Sequence, residues 1–301
     1  TPKLTFMYTS YIGKQFLDLY NQHFQTHYTA DAFFEHVFLH LFFVRDSHLM
    51  HVGNSPFFQP ANKELLAKHG TKTLARFYNL RHKIETEEPN MANCVGAPAT
   101  GVTAPTSGQI TDINTPKNTQ EMYASWLGQA LGIGTQAGFV MLINEPQVLM
   151  ALFEGWQYYR QYLNQTPDVK DRQIETWNGH WLCHRLSKRF NAQNVWQNFN
   201  PEPEVSVGKL AIPTCRWLQI VFTLALNFPQ KTLTAYCYNL SQTNTTLGFV
   251  NLVLPQITEM YEMRDAVLLP EADTLLNDEQ ISRFETRYSF ENACKMGSIG
   301  L

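Results

Sequence analysis

Three groups of side chains in this sequence have the types and spacing to do chemistry. Lys68, Lys72 and Arg76 stand at i, i+4 and i+8, with Lys63, Arg81, His82 and Lys83 close by. Residues four apart share a helix face, so this run can present a stripe of cations to phosphate groups. Glu64, Glu85, Glu87 and Glu88 interleave with it, and the competing reading is a solvated face of balanced charge. Arg185, Lys188 and Arg189 follow Trp177 and Trp181. Cations there complement the negative end of a helix dipole, and aromatics beside arginine also suit stacking on single strands. The third group is uncharged: Ala97 to Gln109 (with Thr103, Thr106, Ser107 and Gln109), Asn178-Gly179, and 242 to 248 (with Gln242 and Asn244). Their neutral donors and acceptors can meet sugars, phosphates or base edges, while for any one loop ordinary turn chemistry is the alternative.

Other chemistry has weaker support. His36 and His40, with His48 and His51 beyond, and His180, Cys183 and His184 on one helix, have zinc-like spacings, but neither set completes a recognised site. The expectation is packed or surface histidines, with no metal and no cofactor. The chain has no Gly-x-x-x-x-Gly-Lys-Ser/Thr loop, no Gly-x-Ser-x-Gly elbow and no His-Glu-x-x-His. Asp112, Glu145, Glu154 and Glu175 lie near polar segments without pairing for acid–base work, and are expected at the surface or at helix caps.

These residues must be positioned by a mostly helical frame. The alternation of Leu4, Phe6 and Tyr8 predicts a strand over 3–12, and Gly13 then opens a helix through Phe16, Tyr20 and Phe24. Phe33, Phe34, Val37, Phe38, Leu41 and Phe42 predict a buried second helix, capped by Thr29 or Asp31. Residues 61–85 read as helix broken at Gly70, and from Met91 to Thr111 runs a loop without one charged side chain. Helices are expected from Thr119, from Pro146 (capped by Asn144 or Glu145), over Arg172 to Phe190, over Arg216 to Leu226, and over 256–267 and 278–296. Strands are expected over Gly138 to Ile143, Thr232 to Leu240 and Leu247 to Leu254, the last two as a hairpin around residues 241–246. The fold class is an α-rich α+β protein, many amphipathic helices around a small, partly antiparallel sheet. It forms one large domain or two intimate subdomains divided near 89–118, and residues are expected to be missing at both ends.

Of the 301 residues 44% are hydrophobic, 13% aromatic and only 16% charged, against roughly 25% charged in an average soluble domain. A surface so poor in charge is expected to be partly covered by something, or else to be rich in amides and hydroxyls. The net charge of -3 excludes a whole-surface polyanion binder and leaves a local stripe open. Cys94, Cys183, Cys215, Cys237 and Cys294 lack the spacing of a disulfide framework, and read as reduced thiols of a cytoplasmic protein. The longest apolar run, Trp217 to Phe228, is shorter than the ~20 residues that span a bilayer.

The texture of Gly96–Gly108 (GAPATGVTAPTSG) and Ser241–Gly248 (SQTNTTLG), set among aromatic-rich helices, resembles the large subunits of prokaryotic CRISPR interference complexes. The likeness covers those two segments and carries over no catalytic or binding residue. It implies uncharged loops and scattered cations beside nucleic acid, and hence a non-catalytic subunit of a defence complex with nucleic acid and other protein subunits as partners. Two alternatives stay open: a nuclease or other hydrolase whose carboxylates or histidines gather only in three dimensions, and a structural subunit that packs against other proteins.

Overall fold

The computed structural model describes residues 7–50, 54–97, 117–206 and 208–259. Helices surround a four-stranded antiparallel sheet, an α-rich α+β architecture built on one continuous buried cluster. The expected helix over 278–296, and the uncharged loop from residue 98 onward, lie outside the described residues.

Helix α1, Tyr8–Phe24, replaces the described part of the expected N-terminal strand. Thr9, Ser10, Ile12, Gly13, Phe16 and Leu17 are its buried positions, a helical spacing that outweighs the short alternation before it. Gly13 therefore does not end an element. A Cβ on it would sit 1.8 Å from the Ala124 carbonyl oxygen of α6, Thr119–Ala130, so the two helices cross in backbone contact. Ser10 Oγ donates to the Glu121 carbonyl across that crossing, at 2.8 Å.

The phenylalanine-rich segment forms α2, Ala30–Phe33, a π-helical turn, Phe34–Phe38, and α3, Leu39–Phe42. The wider turn keeps Phe33, Phe34, Phe38 and Phe42 all buried. Gly70, at φ 77°, ends α4, Lys63–His69, and Thr71 caps α5, Lys72–Thr86, by accepting from the Leu74 N–H.

Strand β1, Ile133–Gly134, pairs with β2, Phe139–Ile143; β2 pairs with β5, Thr232–Asn239, and β5 with β6, Gln242–Val253. The hairpin turn is tighter than expected: residues 242–246 belong to β6, with register shifts opposite Cys237–Asn239. A small outlying hairpin joins β3, Glu204–Ser206, to β4, Lys209–Ala211.

The centre is filled by α7, Pro146–Gln165, α8, Ile174–Arg185, and α9, Trp217–Asn227. Glu145 precedes α7 without a side-chain cap bond; its carboxylate meets Lys231 Nζ at 2.9 Å instead. Helix α8 is shorter than expected. Arg172 sits at φ 59°, which keeps it out of the helix, and at the other end Asn227 Nδ2 donates to the Leu186 carbonyl while Ser187 Oγ accepts from the Arg189 N–H. Trp126, Trp156, Trp177 and Trp181 are fully buried, and each indole N–H donates to a backbone carbonyl at 2.7 to 3.2 Å. Among the described residues no helix is long and apolar enough to cross a membrane, and Cys94, Cys183, Cys215 and Cys237 form no disulfide with one another.

Candidate functional site

The expected cationic stripe does not form one face. The break at Gly70 sets Lys68 and Lys72 on different helices, and the cations that follow are already engaged. Arg76 pairs with Asp46 and donates through Nε to the Gln59 carbonyl at 3.0 Å. Arg81 lies between Asp31 and Glu35, at 3.6 and 3.3 Å, with Glu85 at 4.0 Å. Lys83 holds Glu87 at 2.7 Å, one turn on, and draws that carboxyl below its usual range. Lys68 and Lys72 remain exposed and form no ion pair among the described residues.

At the end of α8, Arg185 Nε donates to Glu154 at 2.7 Å and its guanidinium lies 4.5 Å from the Phe190 ring centroid; Lys188 is exposed. This pair sits in a cleft of about 530 Å³ between the end of α1, α7 and the end of α8, with Phe24, Met150, Phe153 and Tyr158 as its apolar wall. Because Glu154 neutralises Arg185, the cleft suits an uncharged group better than a phosphate.

The uncharged segments separate. Thr103, Thr106, Ser107, Gln109 and Asp112 lie outside the described residues. Asn178, expected in a ligand-facing loop, is fully buried in α8 and donates to the Ala130 and Gly132 carbonyls, both at 2.8 Å, so it ties α8 to the end of α6. Gln242 and Asn244 stand in β6 rather than in a loop, where Gln242 Oε1 accepts from Thr245 at 3.0 Å. Glu175, expected at the surface, is 7% exposed in the core. Tyr238 donates to it at 2.6 Å, and burial pushes its pKa up to about 7. The histidines turn to backbone: His180 Nε2 to the Pro213 carbonyl at 2.8 Å and His184 Nε2 to that of Val195 at 2.7 Å. No group of three metal-ligating side chains gathers among the described residues.

What the sequence pattern missed is the outer face of the hairpin. Leu233, Ala235 and Leu252 turn to the core, leaving Thr234, Tyr236, Phe249, Asn251 and Val253 on the other side. Phe249 is 56% and Leu247 49% exposed. Tyr8 of α1 packs against Tyr236 and Phe249, ring centroids 4.6 and 5.5 Å apart, and Tyr11 extends the patch, its ring 5.6 Å from Tyr8. Among the described residues β6 ends the sheet, and residues 232–254 hold no charged side chain. The signal was present as that charge-free run, which reads as a hairpin without showing which face stays bare. No family model, curated protein or solved structure matches this chain.

Proposed function

We propose that this protein is a structural assembly subunit whose copies join edge to edge through β6. The observation that supports this is a twelve-residue edge strand carrying exposed Leu247, Phe249 and Val253 and no charge. Open sheet edges present unpaired N–H and C=O groups, and monomeric proteins guard them with lysine, proline or inward charge. β6 has none of these guards. Its register shifts twist only the end near residues 238–239, and 248–253, regularly paired to 232–237, has no second strand beside it among the described residues. A second copy fits: antiparallel pairing about a two-fold axis sets no like charges opposite one another, and the Tyr8–Tyr236–Phe249 patch continues across the join. A nucleic-acid stacking platform would need cations tracking the backbone, and this hairpin supplies none.

Sedimentation velocity over a range of concentrations should show a dimer, and Phe249→Lys should raise its dissociation constant by about tenfold or more while leaving the far-ultraviolet spectrum intact. A wild-type protein that stays monomeric throughout would overturn the proposal.

One observation favours a second reading, contact with a phosphate backbone: Lys68 and Lys72 stand exposed beside the Gly70 turn. If that contact exists, labelled single-stranded RNA or DNA binds more weakly as salt rises, and Lys68→Ala with Lys72→Ala lowers the slope by about one to two counterions. Binding that ignores salt and both substitutions removes this reading.

A further inference from the structure

Arg160, on the last two turns of α7, is only 9% exposed and has no carboxylate partner among the described residues. One of its amino groups, Nη2, meets His48 Nδ1 at 3.1 Å, while the Nε and Nη1 N–H groups are buried without an acceptor among the described residues. His48 itself is buried, and its Nε2 faces the Pro167 carbonyl at 3.0 Å. A carbonyl only accepts, so Nε2 carries the ring proton and Nδ1 offers its lone pair to Arg160. The histidine is thus neutral and takes none of the guanidinium's charge; burial and the nearby Arg160, Arg45 and Lys209 charges all lower its pKa. Of the acids on the flanking segments, Asp46 pairs with Arg76 and Asp171 with Arg172 at 3.5 Å, while Asp168 is exposed.

Several segments converge on this arginine. The Leu49 carbonyl accepts from the Arg172 N–H at 3.0 Å, and residues 168–170 bond to Leu210 of β4 in both directions, at 2.8 and 3.0 Å, bringing Lys209 alongside. Arg45, Arg160 and Lys209 therefore form a positive neighbourhood around the neutral His48, with the guanidinium of Arg160 its buried member. Arginine keeps its charge at any physiological pH, and an uncompensated buried charge is strongly unfavourable. We infer that Arg160 is the floor of a binding site for a small oxyanion, a phosphate or carboxylate group, which accepts the free Nε and Nη1 hydrogens and enters past Arg45 and Lys209. The depth of the guanidinium suits a small ligand rather than a polymer backbone.

The test is thermal unfolding of the full chain in sodium phosphate and in sodium acetate, each against sodium chloride at matched ionic strength. Phosphate, acetate or both should raise Tm saturably by about 2 °C or more, the better anion identifying the ligand group. Arg160→Met should abolish the increase. Should that variant fail to fold, Arg45→Ala with Lys209→Ala, both at exposed positions, should raise the apparent Kd about tenfold in a folded protein. No increase over chloride, or an increase that survives these substitutions, would overturn the inference.

Discussion

Alanine at Gly128 should destabilise this protein by about 3 kcal/mol or more, the overpacking cost at its upper end. A Cβ there would lie 1.9 Å from the Thr9 carbonyl oxygen and 2.7 Å from its carbonyl carbon. Those are backbone atoms of α1, and no rotamer change can clear them. The helices would have to separate, loosening Ser10 from Glu121 and Thr9 Oγ1 from the Val95 carbonyl, bonds of 2.8 Å each. Urea unfolding of Gly128→Ala should show this loss, while Gln157→Ala, an exposed change on α7, should stay within about 0.5 kcal/mol. A Gly128→Ala protein as stable as the parent would mean that α1 and α6 do not cross in backbone contact.

The second large effect is one of pH. Glu175 titrates near 7 in the folded protein against 4.5 for the free side chain, because burial disfavours its charge more than Tyr238 and the neighbouring Gln129 amide favour it. A raised folded pKa means that the folded state holds its proton more tightly than the unfolded chain. The stability so gained is fully present below about pH 4.5 and is lost as pH rises through about 7. At about 1.4 kcal/mol per unit, that gap amounts to roughly 3 kcal/mol between pH 4 and 8. Glu175→Gln keeps an oxygen for the Tyr238 hydroxyl and cannot ionise. It should therefore be more stable than the parent at pH 8 and close to it at pH 4, as denaturant midpoints across that range would show. Parallel pH profiles for the two proteins would place Glu175 in a solvated setting instead.

Much of the frame was legible because long apolar periodicities leave few choices. The helices from Thr119 and Pro146, the break at Gly70 and the pairing of 232–239 with the strand after it follow from spacing and turn residues. The misreadings have local causes. The alternation that predicted a strand ends at Tyr8, where burial against α6 imposes a three- and four-residue period. Arg172 takes a left-handed backbone that no propensity scale anticipates, and so delays α8.

The sites were less legible, since charge pairing is a property of three dimensions. Arg76 finds Asp46 thirty residues away, and Arg185 finds Glu154 thirty-one away, so neither cation could be recognised as neutralised from its neighbours in sequence. On sequence Asn178 groups with the uncharged loops although it falls within the helix expected over Arg172 to Phe190, and it lies inside α8. Arg160 did leave a trace, standing on the same helical spacing as Trp156 and Leu163, a face where a charge is out of place. His48 was visible as a histidine without its partner being visible.

Amide hydrogen exchange along β6, followed as the protein is diluted, tests the assembly account most directly. Edge-to-edge pairing predicts that amides over 248–253 pointing away from β5 are protected at high concentration and exchange freely on dilution, and that Phe249→Lys exchanges freely at both. Protection that is absent at every concentration, or that persists unchanged on dilution, would contradict it.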